Sequence, residues 1–128
     1  MYRLIIVDDE AYVTDALADM LASQESLDLE VYTAYSAVEA MEWLARTKID
    51  IVLSDIRMPG MSGLELQKEV LRQWPHCKVI FLSGYDDFHY AQEAMRNGSL
   101  NYILKTEGDE RVVEAVAKAI EQIEQKSE

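Results

Sequence analysis

Short apolar runs alternate with helically spaced apolar residues along the whole chain. Residues 4–7 form a continuous apolar run, which is typical of a strand buried on both faces of a parallel sheet. Apolar residues then recur at the spacing of an amphipathic helix, at Val13, Leu17, Met20 and Leu21. The same strand-then-helix unit follows four more times, with predicted strands at 30–34, 49–53, 78–82 and 101–104.

The second and third predicted helices have recognisable start and stop signals. Ser36 and Glu39 have the spacing of a capping box at the start of the second helix. The inward positions of that helix are predicted to be Ala37, Met41, Leu44 and Ala45. The third helix covers about 64–74 and ends before Pro75, because the residue preceding a proline disfavours helical backbone.

The last two predicted helices are amphipathic as well. The fourth carries Phe88, Ala91 and Met95, and Asn97-Gly98 is predicted to cap its carboxyl end. The fifth covers about 110–125 and carries Val112, Val116, Ile120 and Ile123. The spacing of this last row fits core packing, and it equally fits a helix that continues toward a partner.

Five strand–helix units with short connections predict one α/β domain. Alternating strands and helices indicate a parallel sheet with helices on both faces. Right-handed crossovers then favour the flavodoxin-like (βα)5 doubly wound sandwich, with strand order 2-1-3-4-5. In such sheets ligands bind outside the carboxyl ends of the strands, so the residues that follow each strand are the first to inspect.

Composition and charge exclude several classes of function. The 128 residues carry a formal net charge of −12 and no basic stripe, so direct contact with nucleic acid is not expected. No apolar run approaches the roughly 20 residues that cross a bilayer, so no membrane insertion is expected. The single cysteine, Cys77, fits a reducing cytoplasm and a buried, unreactive thiol. His76 and His89 do not have metal-ligand spacing.

Charged and hydroxyl side chains follow four of the predicted strands. Asp8, Asp9 and Glu10 follow the first strand, and Asp55 follows the third. Each residue alone has an ordinary structural explanation, but together they are expected to converge on one edge of the sheet. Clustered carboxylates repel one another, and Mg²⁺ relieves that repulsion through oxygen ligands.

Ser83 and Lys105 follow the fourth and fifth strands on the same edge. A lysine and a hydroxyl beside a magnesium-binding acidic cluster are suited to phosphoryl transfer, which depends mainly on positioning and charge neutralisation.

The sequence resembles a response-regulator receiver domain of bacterial two-component systems over essentially its whole length. The matching segments are 6–10, 55–63, 82–85 and 102–105, and the Asp-x-x-Met-Pro-x-x-x-Gly stretch that begins at Asp55 is the most specific of them. The resemblance implies that Asp55 attacks a phosphohistidine and becomes an acyl phosphate. It also implies that Mg²⁺ is bound by Asp9, by Asp8 through water, by Asp55 and by the backbone carbonyl of Arg57.

The same resemblance implies how the domain signals. Lys105 contacts the phosphoryl oxygens, Ser83 moves to bond them, and Tyr102 rotates inward. The face made by the fourth helix, the fifth strand and the fifth helix then changes, and a homodimer through that face is expected. The implied partner is a sensor histidine kinase. The implied role is that of a cytoplasmic signalling domain, rather than an enzyme, that promotes its own phosphorylation and dephosphorylation.

The sequence departs from the family pattern after Lys105, where most receivers have proline and this chain has Thr106. A cis bond before a non-proline residue costs about 2.5–4 kcal/mol, so we predict a trans Lys105–Thr106 bond. Arg57 and Tyr85 lie two residues beyond Asp55 and Ser83. Their bulk is expected to hinder the attacking water and to slow loss of the phosphoryl group.

Several alternatives follow from the same residues. Residues 1–128 are expected to be a receiver without its output domain, cut from an AraC-type helix-turn-helix regulator, or a stand-alone receiver that signals by protein contacts alone. A dehalogenase-type phosphatase would need Asp-x-Asp after the first strand, and a flavodoxin-like FMN carrier would need a phosphate loop in place of the acids. A receiver that is never phosphorylated is disfavoured because Asp8, Asp9, Asp55, Ser83 and Lys105 are all present.

Overall fold

The computed structural model describes residues 1–84, 88–96 and 101–126. Strands and helices alternate along the described chain, as predicted. The strands are β1 (Tyr2–Val7), β2 (Leu29–Ala34), β3 (Ile51–Ser54), β4 (Lys78–Ser83) and β5 (Asn101–Leu104). The helices are α1 (Ala11–Ala22), α2 (Ala37–Arg46), α3 (Gly63–Gln73), α4 (Phe88–Arg96) and α5 (Asp109–Lys126). Short 3-10 turns lie at Glu25–Leu27 and Lys105–Glu107.

The five strands form one parallel sheet in the order β2-β1-β3-β4-β5, which confirms the predicted topology. Val7 at the end of β1 is in register with Ala34 of β2 and with Ser54 of β3. Ser83 at the end of β4 is in register with Leu104 of β5. The carboxyl ends of the strands therefore reach the same edge, and the residues that follow them emerge next to one another.

Alternate side chains of each strand enter two separate cores, one on each face of the sheet. Leu4 and Ile6 of β1 pack on the side of α1 and α5, whereas Ile5 and Val7 pack on the side of α2, α3 and α4. Because neighbouring strand residues point to opposite faces, a continuous apolar run is needed to fill both cores. This arrangement confirms the doubly wound sandwich.

Core packing accounts for the apolar row of α5. Val112, Val116 and Ile120 are buried in the core shared with α1, and Ile123 packs against it partly buried. The described helices include none long and apolar enough to span a bilayer.

One predicted inward position in each of α2 and α4 is exposed in the structure. Ala45 was expected to face inward but is exposed, and the buried face of α2 consists of Ala37, Ala40 and Leu44. In α4, Met95 is 53% exposed, whereas its neighbour Ala94 is fully buried. Each error concerns one residue that lies next to a buried residue in the sequence, whereas the predicted inward positions Ala37 and Leu44 are buried and Met41 is partly buried. The side chains of Phe88 and Ala91 and the predicted cap at Asn97-Gly98 lie outside the described residues.

The predicted capping box at the start of α2 forms only in part. The Glu39 backbone N–H donates to Ser36 Oγ at 3.1 Å. The Glu39 carboxylate, however, accepts from the backbone N–H of Tyr35 at 3.3 Å, one residue earlier than a capping box requires. A reciprocal box does form at the start of α3, between Ser62 and Glu65. Strand β3 begins two residues later than predicted and ends at Ser54.

Candidate functional site

The sheet places Asp8 and Asp55 side by side at its carboxyl edge. The Asp8 backbone N–H donates to Ala34 O at 3.2 Å, and the Asp55 N–H donates to Val7 O at 2.9 Å. These bonds extend the β1–β2 and β1–β3 pairings by one residue, and the backbone of each aspartate is thereby held. The two carboxylates leave neighbouring strands at the central switch point, where the first and third strands are adjacent.

Three carboxylates converge at this point. Asp8, Asp9 and Asp55, called here the acidic triad, each offer an oxygen within 4.8 Å of the others. Asp8 is 2% exposed and Asp55 is 7% exposed, whereas Asp9 faces solvent. Two buried acids beside an exposed one form a set of oxygen ligands that is open on one side. The triad could therefore hold a hard divalent cation that keeps part of its water shell, as Mg²⁺ does.

Lys105 reaches the same point from the end of β5. Its Nζ lies 3.0 Å from Asp8 Oδ2 and 3.6 Å from Asp55 Oδ2. It also lies 3.7 Å from Glu10 Oε1. The lysine follows β5 in a 3-10 turn, and the Glu107 carboxylate of that turn accepts from the Leu104 backbone N–H at 2.7 Å. The described chain contains no cis peptide, so the Lys105–Thr106 bond is trans, as predicted.

Burial and neighbouring charges shift the pKa values of Asp55 and Lys105. Desolvation raises the pKa of Asp55 to about 6; Lys105 and the Ile56 N–H oppose this shift, while Asp8 and Asp9 add to it. Desolvation disfavours the charged form of Lys105 as well. Its hydrogen bond to Asp8 and the charges of Asp55, Asp8 and Glu10 outweigh that cost, and the pKa of Lys105 is raised. One protonated lysine thus partly neutralises a crowded set of carboxylates.

Backbone and hydroxyl groups fix the orientation of the two buried acids. The Ile56 N–H donates to Asp55 Oδ1 at 2.8 Å, and the Glu10 N–H donates to Asp8 Oδ1 at 2.9 Å. The fully buried Thr14 of α1 donates from Oγ1 to Asp8 O at 3.0 Å, which ties the helix to the end of β1. Thr14 was not among the residues predicted from the sequence. A single hydroxyl among the inward positions of α1 was the only signal available.

A close approach at Gly63 holds the loop after β3 against α3. The Gly63 N–H donates to Ile56 O at 2.7 Å. A Cβ at Gly63 would lie 2.1 Å from the backbone oxygen of Asp55, which is far inside van der Waals contact. The glycine that closes the Asp55 motif is therefore required because the start of α3 packs directly on the Asp55 backbone.

The remaining predicted site residues lie around this centre. Ser83 is buried as the last residue of β4, in register with Leu104, the residue before Lys105. Tyr102 lies within β5, partly buried against the core on the α2–α4 side. The Arg57 side chain is exposed in the loop after β3, and Tyr85 lies outside the described residues. The effect of Arg57 and Tyr85 on phosphoryl lifetime stays a prediction.

Comparison with known families agrees with this arrangement. A family model described as the response regulator receiver domain matches residues 4–117. The chain belongs to this family. It is a receiver domain of the two-component signalling type, and its relatives are bacterial response regulators.

One curated relative is the uncharacterized transcriptional regulatory protein YesN of Bacillus subtilis. It is 35% identical over 124 residues, which is 96% of this chain and 33% of YesN. The chain spans between a third and about half of the length of the curated relatives it matches.

Solved structures of receivers share the same fold. The receiver domain of AraT, a response regulator from Geobacillus stearothermophilus, superposes with a TM-score of 0.90 at 35% identity, covering 99% of this chain and 98% of that one. The response regulator TrrA of Thermotoga maritima, in complex with Mg²⁺ and BeF, superposes with a TM-score of 0.81 at 28% identity, covering 93% and 99%.

Proposed function

We propose that this receiver domain accepts a phosphoryl group on Asp55, with Mg²⁺ bound alongside, and transmits the change through the face made by α4, β5 and α5. The observation that carries the proposal is the convergence of the acidic triad and Lys105 at the switch point of the sheet. The two buried carboxylates and the ammonium form a compact site of opposite charges. A phosphoryl group on Asp55 would lie between a divalent cation and Lys105.

The residues present fit a magnesium ion. The triad supplies carboxylate oxygens, and the backbone carbonyl of Arg57 is proposed as the remaining protein ligand. Asp8 would act through a bound water, while Asp9 and Asp55 would bind directly. When bound, the ion would neutralise charge on the transferring phosphoryl oxygens. The TrrA structure, which holds Mg²⁺ and BeF on the same fold, supports this proposal.

Asp55 is suited to be the nucleophile. Its pKa of about 6 leaves the carboxylate mostly ionised at neutral pH, and the Ile56 N–H holds Oδ1. The carboxylate oxygen would attack the phosphorus of a phosphohistidine. An O–P bond forms as the P–N bond breaks, and the imidazole leaves with the bonding electron pair. Lys105 would release Asp8 and bind a phosphoryl oxygen, which compensates the added negative charge.

The proposed switch then runs along β4 and β5. The Ser83 hydroxyl would turn to the phosphoryl group, and Tyr102, which lies partly buried against the core, would rotate inward. Because packed positions of this kind have discrete rather than graded arrangements, the response is a shift between two populations. We propose that the shifted face supports homodimerisation.

The proposed donor is a sensor histidine kinase, and the proposed output is control of transcription. YesN and the other curated relatives named as transcriptional regulatory proteins support such an output. The proposed location is the cytoplasm, where a kinase and a DNA-bound output would be reached. A stand-alone receiver that acts by protein contacts alone remains the second candidate, since the strongly acidic domain would repel DNA itself.

The test is phosphorylation by a small donor. The protein is incubated with acetyl phosphate and Mg²⁺, and its intact mass is recorded alongside Asp55→Asn and the control Asp19→Asn, which changes an exposed acid of α1. We expect one added phosphoryl group in the wild type and in Asp19→Asn, and none in Asp55→Asn or without the metal ion. Labelling of Asp55→Asn to the wild-type extent would refute Asp55 as the acceptor.

A further inference from the structure

The side chain of Glu10 is held in place by two partners at once. Its Oε1 lies 3.7 Å from Lys105 Nζ, and its Oε2 accepts a hydrogen bond from the Tyr12 hydroxyl at 2.8 Å. Glu10 is the residue that precedes α1, yet its carboxylate makes no capping bond to the helix. The side chain is therefore oriented by Tyr12 and Lys105, and the start of the helix does not account for its position.

We propose that Tyr12 and Glu10 form a restraint on Lys105 that slows phosphorylation of Asp55. This inference rests on the proposed function and adds two positioning residues to it. Tyr12 holds the Glu10 carboxylate, and the carboxylate retains the Lys105 ammonium on the α1 side of the site. Lys105 Nζ already lies 3.6 Å from Asp55 Oδ2, and it would exchange its contacts with Asp8 and Glu10 for contacts with an incoming phosphoryl group.

The geometry separates Glu10 from the metal-binding role of its neighbours. In the described chain, Asp8, Asp9 and Asp55 form the group of three carboxylates whose oxygens lie within 4.8 Å of one another. A divalent cation bound there competes with Lys105 for Asp8. Glu10 lies outside that set, so its attraction for Lys105 persists when the cation is bound. With the cation bound, Glu10 would be the acid that still holds Lys105 away from the phosphoryl group and so opposes phosphoryl transfer to Asp55.

The size of the effect follows from exposure. The Glu10 side chain is 48% exposed and that of Lys105 is 23% exposed, so solvent screens their attraction. A screened ion pair of this kind changes an equilibrium by about twofold to fivefold. The restraint therefore lowers the rate of phosphorylation only modestly. Loss of the Glu10 carboxylate raises that rate, but Glu10 is not required for the reaction.

The first experiment measures the rate of phosphorylation by intact mass in the presence of Mg²⁺. Glu10→Gln keeps the shape of the side chain and removes its charge, and we expect it to be phosphorylated about twofold to fivefold faster than the wild type. Tyr12→Phe removes the hydroxyl that holds Glu10, and we expect a smaller gain. Glu42→Gln, which changes an exposed acid of α2, serves as the charge-matched control and is expected to leave the rate unchanged.

A double variant shows whether Tyr12 acts through Glu10. In the Glu10→Gln background, Tyr12→Phe should add nothing, because the carboxylate it holds is already neutral. Two fully additive gains would contradict the restraint.

The choice of phosphodonor provides a second test, because phosphoramidate carries less negative charge than acetyl phosphate at neutral pH. Release of Lys105 predicts the same gain with both donors, whereas a gain confined to acetyl phosphate would mean simple repulsion of the donor and would overturn the proposal.

Magnesium affinity, measured by titration calorimetry, gives a readout separate from the reaction. We expect Glu10→Gln to bind Mg²⁺ within about threefold of the wild type, because it removes a nearby charge but no ligand. A tenfold or greater loss of affinity together with slower phosphorylation would make Glu10 a metal ligand and would refute the inference. If the wild type is labelled and the Glu10 variants are labelled at the same rate, only the restraint is refuted. If the wild type is not labelled at all, the proposed function is refuted as well.

Discussion

At the scale of single residues, the centre of the domain is a carboxylate kept in an unfavourable environment. Asp55 is 7% exposed and lies beside Asp8 and Asp9, while Lys105 and one backbone N–H compensate it only in part. Desolvation is the largest cause of its raised pKa, so the folded protein holds the Asp55 charge at a cost. If Asp55 accepts a phosphoryl group beside a cation, as proposed, its carboxylate is incompletely stabilised until that group and the cation are bound.

This cost predicts that Asp55→Asn stabilises the protein when no divalent cation is present. The pKa of Asp55 lies near 3.8 in an unfolded chain and about 6 in the fold. Its contribution to stability is therefore fully present below about pH 4 and is lost as the pH rises through 6. We expect Asp55→Asn to raise the free energy of unfolding by about 1–3 kcal/mol at pH 7.5, and by much less near pH 4.5.

Urea unfolding of Asp55→Asn and of the control Asp19→Asn at the two pH values checks this prediction. The control should follow the wild type at both pH values, because Asp19 is exposed on α1. A destabilised Asp55→Asn at pH 7.5 would mean that the attraction to Lys105 exceeds the desolvation cost.

At the scale of secondary-structure elements, Asp55 is positioned by the contact between the loop after β3 and the start of α3. The Gly63 N–H donates to Ile56 O, and the capping box of Ser62 and Glu65 fixes the first turn of the helix. The helix can approach this closely only because Gly63 lacks a side chain. The position of Asp55 therefore depends on a residue eight positions later in the chain.

Gly63→Ala should accordingly destabilise the domain and displace Asp55. The added methyl group would lie 2.1 Å from the Asp55 backbone oxygen, so backbone has to move. We expect a loss of about 1–3 kcal/mol in urea unfolding, with slower phosphorylation. Gly84→Ala is the matched control, because its Cβ would meet only Lys105 Cδ, at an ordinary 4.0 Å. Equal stability of the two variants would show that the contact relaxes without cost.

At the scale of the whole molecule, negative charge dominates. The chain of 128 residues has a formal net charge of −12, and three of its acids lie together in the candidate site at one edge of the sheet. Self-repulsion of this kind opposes the compact state and is screened by salt. The same charge disfavours contact with the polyanionic backbone of nucleic acid.

Salt should therefore stabilise the fold. Raising NaCl from low to physiological concentration is expected to add on the order of 1 kcal/mol, which corresponds to a rise of about 3–5 °C in Tm. MgCl₂ at matched ionic strength should raise Tm further if Mg²⁺ binds the acidic triad as proposed, because a ligand that binds only the folded state stabilises it. Thermal unfolding followed by circular dichroism measures both effects. A Tm that falls with NaCl would contradict the stabilisation by screening. An equal rise of Tm with NaCl and MgCl₂ would contradict binding of Mg²⁺ to the triad.

The sequence by itself determined the class of fold and which charged residues lie at the candidate site. Apolar runs and helical spacings are local patterns, and their alternation specifies a parallel sheet whose strand ends meet at one edge. Asp8, Asp9, Asp55 and Lys105 could be assigned to that edge because each lies within two residues of the end of a strand. Strand order followed from the handedness of crossovers, which leaves few topologies.

Only the tertiary structure decided the contacts that cross between elements. The exposure of Ala45 in α2 and of Met95 in α4 depends on how each helix packs, because a residue at the border of the apolar face can lie on either side of that border. The bond from Thr14 to Asp8 O and the hold of Tyr12 on Glu10 depend on side-chain directions fixed by packing. A local pattern indicates which face of an element is apolar, but distances of a few ångströms between elements arise when all of them pack together.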